Sequence, residues 1–288
     1  MIVELANAKI NLFLNVCARR ADGFHDIESV MQSVSLCDEI MLDATVSGET
    51  EINITIEGAD LPSDRSNLVY RAAEKYLATA NLSAKVDIRV KKNIPIAAGL
   101  AGGSSDAAAT LRAMNRVFGA FTADELSAIA ATIGSDVPFC LIGGTAICKG
   151  RGEKIQRLQT VKSHAVIAIG IDRVSTPEAY ARLDRIYSNF DGSVPTNADR
   201  HLDDLLDAIN NGTLPTELYN IFESDIEDIL KSVIKIKAEM RSCGSKLVLM
   251  SGSGPSVFAL FSDAESADNA AMHLQNIGYD AYSVTLCE

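Results

Sequence analysis

A cluster of glycines and serines stands directly before an alanine-rich segment, and this arrangement constrains the chain more than any other feature. Residues 96–115 read IAAGLAGGSSDAAATLRAMN. Alanine has the highest helix propensity, so the segment predicts a helix that starts abruptly behind a flexible loop. Gly99, Gly102 and Gly103 permit backbone angles closed to other residues and the close approach of a ligand. Ser104 or Ser105 is expected to cap the helix.

The start of this helix is predicted to bind an anion. The first amides of a helix have no partner within it and carry the positive end of the helix dipole, so phosphate is their usual ligand. The loop does not fit a Walker sequence, because no Gly-Lys-Ser/Thr follows, nor a Rossmann fingerprint, because the third glycine of that pattern is missing. A flexible turn with an ordinary serine cap is the alternative interpretation.

An acidic residue opposes this prediction in part. Asp106 follows the two serines and is expected in the first helical turn, where a carboxylate suits the helix dipole but repels a bound polyphosphate. Two arrangements are open: the carboxylate points away from the ligand, or it faces a magnesium ion through water.

Length, charge and cysteine content narrow the class of protein. The chain has 288 residues, enough for two domains of about 150 residues each. Its formal net charge of -12 disfavours nucleic acids and anionic membranes as partners. The six cysteines include no C-x-x-C pair, which favours free thiols in a reducing cytoplasm over a zinc site or a disulfide framework. We expect a cytoplasmic monomer or homodimer without a signal peptide or a membrane span.

Hydrophobic periodicity predicts an α+β protein. From Ile10 to Val16 apolar residues alternate with others, which predicts a strand with one buried face and with Lys9 and Asn11 on the opposite face. Further strands are predicted at 38–46, 51–58, 84–96, 164–171, 246–252, 256–262 and 279–288, and strand and turn at 135–152. Helices are predicted at 66–81, 105–119, 122–134, after Thr176-Pro177, at 199–212, at 218–244 and at 264–278.

The order of these elements suggests two domains. In the second half two consecutive strands stand between helices, which is typical of a ferredoxin-like sandwich. The stretch 150–163 is polar and rich in turn residues, so we place the boundary there and assign domains to residues 1–155 and 156–288.

Three motifs together resemble the GHMP kinases, the family of galactokinase, homoserine kinase, mevalonate kinase and phosphomevalonate kinase. Residues 95–108, PIAAGLAGGSSDAA, are similar to the family's central phosphate-binding motif; LANAKINLFLNV at 5–16 and MSGSGPSVFALF at 250–261 resemble its N- and C-terminal motifs. The resemblance implies a two-domain α+β fold. Its N-terminal, ATP-binding domain would be of the ribosomal-protein-S5-domain-2-like type and its C-terminal domain ferredoxin-like.

Further stretches resemble one branch of this family. They are RRADGFHDI at 19–27, GSDVPF at 134–139 and STPEAY at 175–180. Members of that branch use ATP to phosphorylate the 2-hydroxyl of 4-(cytidine 5'-diphospho)-2-C-methyl-D-erythritol in the non-mevalonate route to isopentenyl diphosphate. Two alternatives remain: another GHMP kinase, of the homoserine or mevalonate type, and a non-catalytic nucleotide-binding module on the same fold.

The resemblance implies a catalytic pair. Asp136 matches the family's catalytic base, which takes the proton of the acceptor hydroxyl; taken alone, an Asp before Pro138 would be a turn or cap residue. Lys9 would hold Asp136 ionised and lower the pKa of the hydroxyl through its own charge. Taken alone, Lys9 would be a solvated strand lysine.

The resemblance also implies the nucleotide site, with ATP and Mg2+ as the expected cofactors. Asn67 and Lys92 match positions near the adenine, although Asn67 is equally a plausible helix cap and both would otherwise be surface residues. The loop residues expected to contact ATP are Pro95, Ala98, Gly99, Leu100, Ala101, Gly102, Gly103, Ser104 and Ser105.

Five residues are expected to bind the acceptor. They are Asn11, for the erythritol part, and Phe24, His25, Thr176 and Tyr180. His25 would recognise the cytosine, and Phe24 and Tyr180 would stack on its two faces; the family usually has tyrosine at position 24, so one hydroxyl is missing here. Thr176 is also expected to cap the helix that begins Thr-Pro.

Overall fold

The structure is a computed structural model that describes residues 1–172, 174–187, 197–225 and 230–288. The strands are β1 (Ile2–Arg19), β2 (His25–Val46), β3 (Glu51–Glu57), β4 (Ala84–Lys91), β5 (Thr145–Gly150), β6 (Lys154–Leu158), β7 (His164–Ile169), β8 (Tyr219–Asn220), β9 (Val248–Met250), β10 (Ser256–Phe261) and β11 (Asp280–Thr285). The helices are α1 (Leu68–Ala80), α2 (Gly102–Phe118), α3 (Ala123–Ile133), α4 (Val137–Ile142), α5 (Thr176–Ile186), α6 (Ala198–Asn210), α7 (Lys231–Ser242) and α8 (Ala264–Asn276).

Contacts divide the chain into two compact units that are discontinuous in sequence. The first unit comprises residues 1–8, 36–96 and 101–143, and the second comprises residues 9–35, 97–100 and 144–288. Strands β1 and β2 are long, and each contributes residues to both units. The predicted domains, 1–155 and 156–288, stay a prediction.

The first unit packs helices on a mixed sheet. Strand β4 pairs in parallel with β3 and antiparallel with the second half of β2. Buried and exposed residues alternate along β4, which confirms the predicted strand with one buried face. Helix α1 packs on α2, and the fully buried side chains of this unit include Tyr76, Leu111 and Met114.

Several helix ends follow from local chemistry. Thr122 and Glu125 form the predicted capping box at the start of α3, so two otherwise unpaired amides are satisfied reciprocally. Gly119 adopts a left-handed conformation, with φ of 62°, at the end of α2, the usual place for a glycine after a helix. Asn67 caps α1, as expected, by accepting a hydrogen bond from the amide of Val69.

The second unit contains a ferredoxin-like sheet. Four antiparallel strands lie in the order β11-β7-β10-β9, and β7 sits between β10 and β11 with Ala168 opposite both Val257 and Ala281. Helices α7 and α8 pack against this sheet. This arrangement confirms the ferredoxin-like prediction for the C-terminal half. In the same unit, β5 pairs with β6 and with residues 27–32 of β2.

Two predictions of secondary structure are wrong. Residues 137–142 form helix α4 instead of a strand, because Pro138 fits the first turn of a helix and Gly143 ends it. The long helix predicted at 218–244 is replaced by β8, a 3-10 turn at Ile221–Asp225 and α7, with residues 226–229 outside the described part. The side-chain amide of Asn220 donates through Nδ2 to the carbonyls of Met250 and Gly252 at 2.8 Å each, and these tertiary bonds outweigh helix propensity.

Strand β1 and the segment 154–158 also differ from expectation. Residues 8–16 of β1 are buried on both faces instead of one, because the polar face is hydrogen-bonded and not solvated. Residues 154–158 form β6 inside the stretch predicted to be polar turns, since their backbone pairs with β5. None of the described helices has the length and apolar content needed to cross a bilayer.

Gly99 packs against the turn between β9 and β10 so closely that no side chain fits. Its φ is +76°, and a Cβ there would lie 2.5 Å from the carbonyl oxygen of Ser251 and 3.0 Å from that of Gly254. The hydroxyls of Ser251 and Ser256 donate to the carbonyls of Gly99 and Ala98. The central and C-terminal motifs therefore meet backbone to backbone.

We expect Gly99→Ala to lower the free energy of unfolding by about 3 kcal/mol or more, from left-handed strain plus displacement of the turn. The matched control is Gly119→Ala, which has the same sign of φ but no atom of the described residues within 4 Å of the new Cβ, so we expect a loss of only about 1–2 kcal/mol. Urea denaturation measures both. Equal losses for the two variants would show that the contact with the turn adds nothing.

Candidate active site

The loop before α2 holds a regular series of unusual backbone angles. Ala97, Gly99 and Ala101 have φ values of 55°, 76° and 57°, whereas the intervening Ala98 and Leu100 are buried. A left-handed conformation costs an alanine about 1–2 kcal/mol. Strain of this kind persists only where the surroundings enforce it, and it concentrates at functional sites.

Helix α2 begins at Gly102, earlier than the sequence suggested. Its N-cap is Ala101, and neither serine caps it, so the predicted serine cap is wrong. The amide of Ser105 donates to the carbonyl of Ala101 at 2.9 Å, and the hydroxyl of Ser105 donates to the carbonyl of Asn7. Both serines lie inside the helix because Ala101, already left-handed, makes the turn that a capping residue would otherwise stabilise.

The amides of the first helical turn are consequently available to a ligand. In the described part of the chain no side chain caps α2, and the helix ladder itself leaves the amides of Gly102, Gly103 and Ser104 unpaired. A Cβ on Gly103 would have only a methyl of Leu68, at 3.6 Å, as a neighbour, so Gly103 leaves the first turn open. Three donors at the positive end of a helix form an anion site.

A buried cluster of three charges lies beneath this turn. Nζ of Lys92 donates to Oδ2 of Asp106 at 2.6 Å and to Oδ2 of Asp38. Oδ1 of Asp38 accepts the amides of Asn93, at 2.5 Å, and Ile94, at 2.8 Å. Asp106 sits beyond the first turn and not within it, and its carboxylate points to Lys92. The side chain of Lys92 is buried and does not lie at the surface. Its predicted contact with adenine stays a prediction.

Burial and crowding perturb the ionisation of this cluster. Burial raises the pKa of Asp106 to about 7; the charge of Lys92 counteracts the shift and that of Asp38 adds to it. Oδ1 of Asp106 is buried and has no hydrogen-bond partner among the described residues, which leaves the ionised form poorly compensated. Burial alone would lower the pKa of Lys92, but its two carboxylate neighbours raise it.

Asn67 uses both of its polar side-chain atoms in local structure. Its oxygen accepts the amide of Val69 at 2.9 Å, and its amide donates to the carbonyl of Pro62 at 2.7 Å. These bonds fix the start of α1. A contact with adenine stays a prediction.

Lys9 is the centre of a hydrogen-bond chain in the second unit. Its Nζ donates to Oδ1 of Asn11 at 2.7 Å and to the carbonyl of Gly99 at 3.1 Å. Nδ2 of Asn11 donates to the hydroxyl of Ser29, which donates to the carbonyl of Phe13. Lys9 and Asn11 thus share one face of β1, as predicted, and the ammonium is held beside the glycine loop.

Asp136 stands at the N-cap position of α4 without acting as its cap. Its backbone is helical, with φ of -86° and ψ of -12°, and the side chain accepts no capping bond from the described residues of that helix. The other end of α4 is held by Arg112, which donates to the carbonyl of Cys140 at 2.9 Å and to that of Leu5 at 2.6 Å. Capping of α4 therefore does not account for an Asp at this position.

The residues predicted to bind the acceptor base lie in the second unit. Nε2 of His25 is 2.7 Å from Oδ1 of Asp184, and the ring of His25 stacks on that of Tyr180 with centroids 4.8 Å apart. Phe24 is 51% exposed, and the guanidinium of Arg151 lies over its ring, 4.8 Å from the ring centroid. One face of Tyr180 is therefore covered by His25, and the predicted stacking of Phe24 and Tyr180 on a base stays a prediction.

Thr176 does not cap α5, contrary to expectation. The cap is Ser175, whose hydroxyl accepts the amide of Glu178 at 3.3 Å. Thr176 is the first helical residue, and its hydroxyl lies 3.3 Å from that of Ser253 in the C-terminal motif. Because Thr176 does not cap the helix, its hydroxyl can lie beside the turn between β9 and β10.

Sequence reasoning missed three polar partners. Asp38 holds Lys92, Ser29 holds Asn11, and Asp184 holds His25. Asp184 lies one helical turn after Tyr180, a spacing that places both on one face of α5. Asp38 and Ser29 carry no local signal, because their partners are distant in the sequence.

Relatives of known name resemble the whole chain. The protein named 4-diphosphocytidyl-2-C-methyl-D-erythritol kinase in Exiguobacterium sibiricum is 40% identical to this chain, and the alignment covers 99% of this chain and 98% of that protein. The protein of the same name in Pelotomaculum thermopropionicum is 41% identical, and the alignment covers 94% of this chain and 93% of that protein. Family models for the GHMP kinases N terminal domain and the GHMP kinases C terminal match residues 67–144 and 198–280. The chain belongs to the GHMP kinase family.

Solved structures agree with this membership. A crystal structure of 4-(cytidine 5'-diphospho)-2C-methyl-D-erythritol kinase matches this GHMP kinase with a TM-score of 0.82 and 34% identity over 100% of both chains. Homoserine kinase from Cytophaga hutchinsonii has a TM-score of 0.72 and 20% identity, over 99% of this chain and 93% of its own. The second similarity shows the fold alone. The predicted two-domain GHMP kinase fold is confirmed.

The raised pKa of Asp106 predicts a pH-dependent stability. Between about pH 4 and pH 7 the folded state binds more protons at Asp106 than the unfolded state, so this group lowers the free energy of unfolding as the pH rises. Asp106→Asn removes the effect. We expect the stability of the variant relative to the wild type to increase by a few kcal/mol, on the order of 1–4, across this range.

Asp263→Asn supplies a control of opposite sign. The amide of Ser266 lowers the pKa of Asp263, so the relative stability of that variant is expected to fall as the pH rises through the acidic range. Urea denaturation at a series of pH values measures both variants. A flat difference for Asp106→Asn would contradict the burial of an ionised carboxylate.

Proposed function

We propose that this protein transfers the γ-phosphate of ATP to the 2-hydroxyl of 4-(cytidine 5'-diphospho)-2-C-methyl-D-erythritol, a step in the non-mevalonate synthesis of isopentenyl diphosphate. One observation carries the proposal: relatives named for this activity are about 40% identical over nearly the full length of the chain. The residues that matched this branch in the sequence, Lys9, His25, Asp136 and Tyr180, lie within that aligned length.

The loop of residues 95–105, called the phosphate loop below, is proposed to bind the triphosphate of ATP. Its support is physical: the unpaired amides at the start of α2 are local donors for a polyanion on a chain whose net charge of -12 would otherwise repel it. Residues 95–105 supply this surface mainly through backbone groups. Asn67 and Lys92 are proposed to lie near the adenine.

Magnesium is proposed to accompany the nucleotide. The described residues contain no group of three or more His, Cys, Asp or Glu side chains arranged to hold a metal, which suits an ion that takes most of its ligands from phosphates and water. When bound, it would neutralise charge on the phosphate oxygens. We propose that the hydroxyl of Ser104, in the first turn of α2, would supply a further ligand.

Lys9 and Asp136 are proposed to act on the acceptor hydroxyl. Asp136 takes the proton as the oxygen attacks phosphorus, which contributes about 10²–10⁴ in rate. Lys9 is held by Asn11 and the carbonyl of Gly99, so its ammonium is positioned before the substrate arrives. Such preorganised charge stabilises the transition state without further rearrangement.

The acceptor is proposed to be recognised at both ends. Asn11 binds the erythritol part; His25, Phe24 and Tyr180 bind the cytosine, and Thr176 binds a phosphate of the diphosphate.

We propose that the enzyme works in the cytoplasm as a monomer or homodimer; the free thiols of all six cysteines suit that compartment.

Asp136→Asn is expected to fold and to bind an ATP analogue normally, with turnover reduced by about 10²–10⁴-fold, because the amide cannot accept the proton. Asp124→Asn, an exposed position on α3, is the matched control and should keep wild-type turnover. Coupled measurement of ADP release with the cytidyl diphosphate acceptor tests both. Turnover of Asp136→Asn within about twofold of wild type would remove the assignment of the base.

A panel of acceptor alcohols separates the proposed reaction from its alternatives. We expect ATP consumption with 4-(cytidine 5'-diphospho)-2-C-methyl-D-erythritol and at least about 10³-fold lower kcat/KM with homoserine or mevalonate, because neither fills a base-binding site. Comparable activity with homoserine or mevalonate would contradict the substrate. ATP binding without consumption for any acceptor would favour a binding module.

A further inference from the structure

The phosphate loop is strained, and something must hold it. Ala97 and Ala101 are left-handed without being glycine, and the first amides of α2 gain nothing from a capping side chain. Both features favour relaxation to another conformation when no ligand is bound. A site that binds a polyanion tightly has to resist that relaxation beforehand, since ordering the loop on binding would weaken affinity.

The buried charge cluster touches the chain on both sides of this loop. On the entry side, Asp38 binds the amides of Asn93 and Ile94, and Lys92 is part of the same segment. On the exit side, Asp106 belongs to α2 and binds Lys92 at 2.6 Å. The ammonium is thus bonded to one carboxylate that fixes the loop entry and to one that belongs to the loop exit.

Packing around the cluster makes this link rigid. A Cβ on Gly102 would lie 3.1 Å from Ile94 and 3.5 Å from Nζ of Lys92, so the first residue of α2 rests directly on the loop entry. The side chains of Lys92, Asp38 and Asp106 are 5%, 0% and 5% exposed. Solvent screens such a pair much less than a surface ion pair, so the link withstands ionic strength.

We propose that the Asp38–Lys92–Asp106 cluster clamps the two ends of the phosphate loop, and that Asp106 is thereby a positioning residue for the nucleotide. It acts through Lys92 and the backbone and does not touch the phosphates. The inference rests on the proposed function, because it takes the loop to be the triphosphate site. It also gives the acidic residue of the motif a role, although its charge opposes the ligand.

Asp106→Ala tests the clamp, with Asp106→Asn as the conservative variant. Alanine removes the bond to Lys92, whereas asparagine keeps an acceptor for it. Folding should survive in both, since Lys92 remains paired with Asp38. Asp87→Ala is the matched control, because Asp87 lies on β4 of the same unit and its hydrogen bond to Asn53 is exposed.

The first readout needs no nucleotide. Hydrogen exchange of peptides spanning residues 95–105 should be about tenfold faster in Asp106→Ala and within about twofold of wild type in Asp106→Asn and Asp87→Ala, because exchange reports local opening. Unchanged exchange in Asp106→Ala would overturn the clamp. If Asp106→Ala fails to fold, Asp106→Ser removes the same bond with a small polar side chain and gives the same comparison.

The second readout separates positioning from general damage. In Asp106→Ala the KM for ATP should rise about tenfold, with kcat and the KM of the acceptor within about twofold, since only nucleotide binding loses preorganisation. Asp106→Asn should restore the KM for ATP to within about threefold. Tighter ATP binding in both variants would show that Asp106 merely repels the phosphates. If the wild type does not use ATP, the proposed function fails, while the exchange comparison still judges the clamp.

Discussion

Unpaired backbone amides at the start of α2 are the feature on which the rest of the site depends. A helix leaves its first amides without partners, and most proteins satisfy them with a side chain from the preceding residue. Here the preceding residue is Ala101 in a left-handed conformation, and the serines lie inside the helix. The motif thus keeps donors that an ordinary helix would have used, and a charged ligand is the natural acceptor for them.

Each unit holds its own part of the loop that presents these amides. In the second unit, Gly99 rests on the β9–β10 turn, and the serines of the C-terminal motif bind the carbonyls of Ala98 and Gly99. In the first unit, the charge cluster around Lys92 holds the segments at either end. Within the second unit the three sequence motifs are joined by hydrogen bonds, because Lys9 of the N-terminal motif also donates to the carbonyl of Gly99.

The sequence predicted what depends on local chemistry. Spacing and side-chain type were enough to predict the helix behind the glycines, the capping box of α3, the alternation of β4 and the shared face of Lys9 and Asn11. It did not predict what depends on partners far along the chain. The burial of Lys92 between Asp38 and Asp106 needs a contact across 54 residues, and the 3-10 turn after Asn220 results from bonds to the β9–β10 turn. The start of α2 was predicted at the wrong residue because an alanine such as Ala101 gives no sequence signal for a left-handed backbone.

The most direct test is a crystal structure with a non-hydrolysable ATP analogue. We expect phosphate oxygens within hydrogen-bonding distance of the amides of Gly102, Gly103 and Ser104, with the backbone of residues 95–101 unchanged from the free protein. An analogue whose phosphates bind elsewhere, leaving those three amides without a ligand, would contradict it.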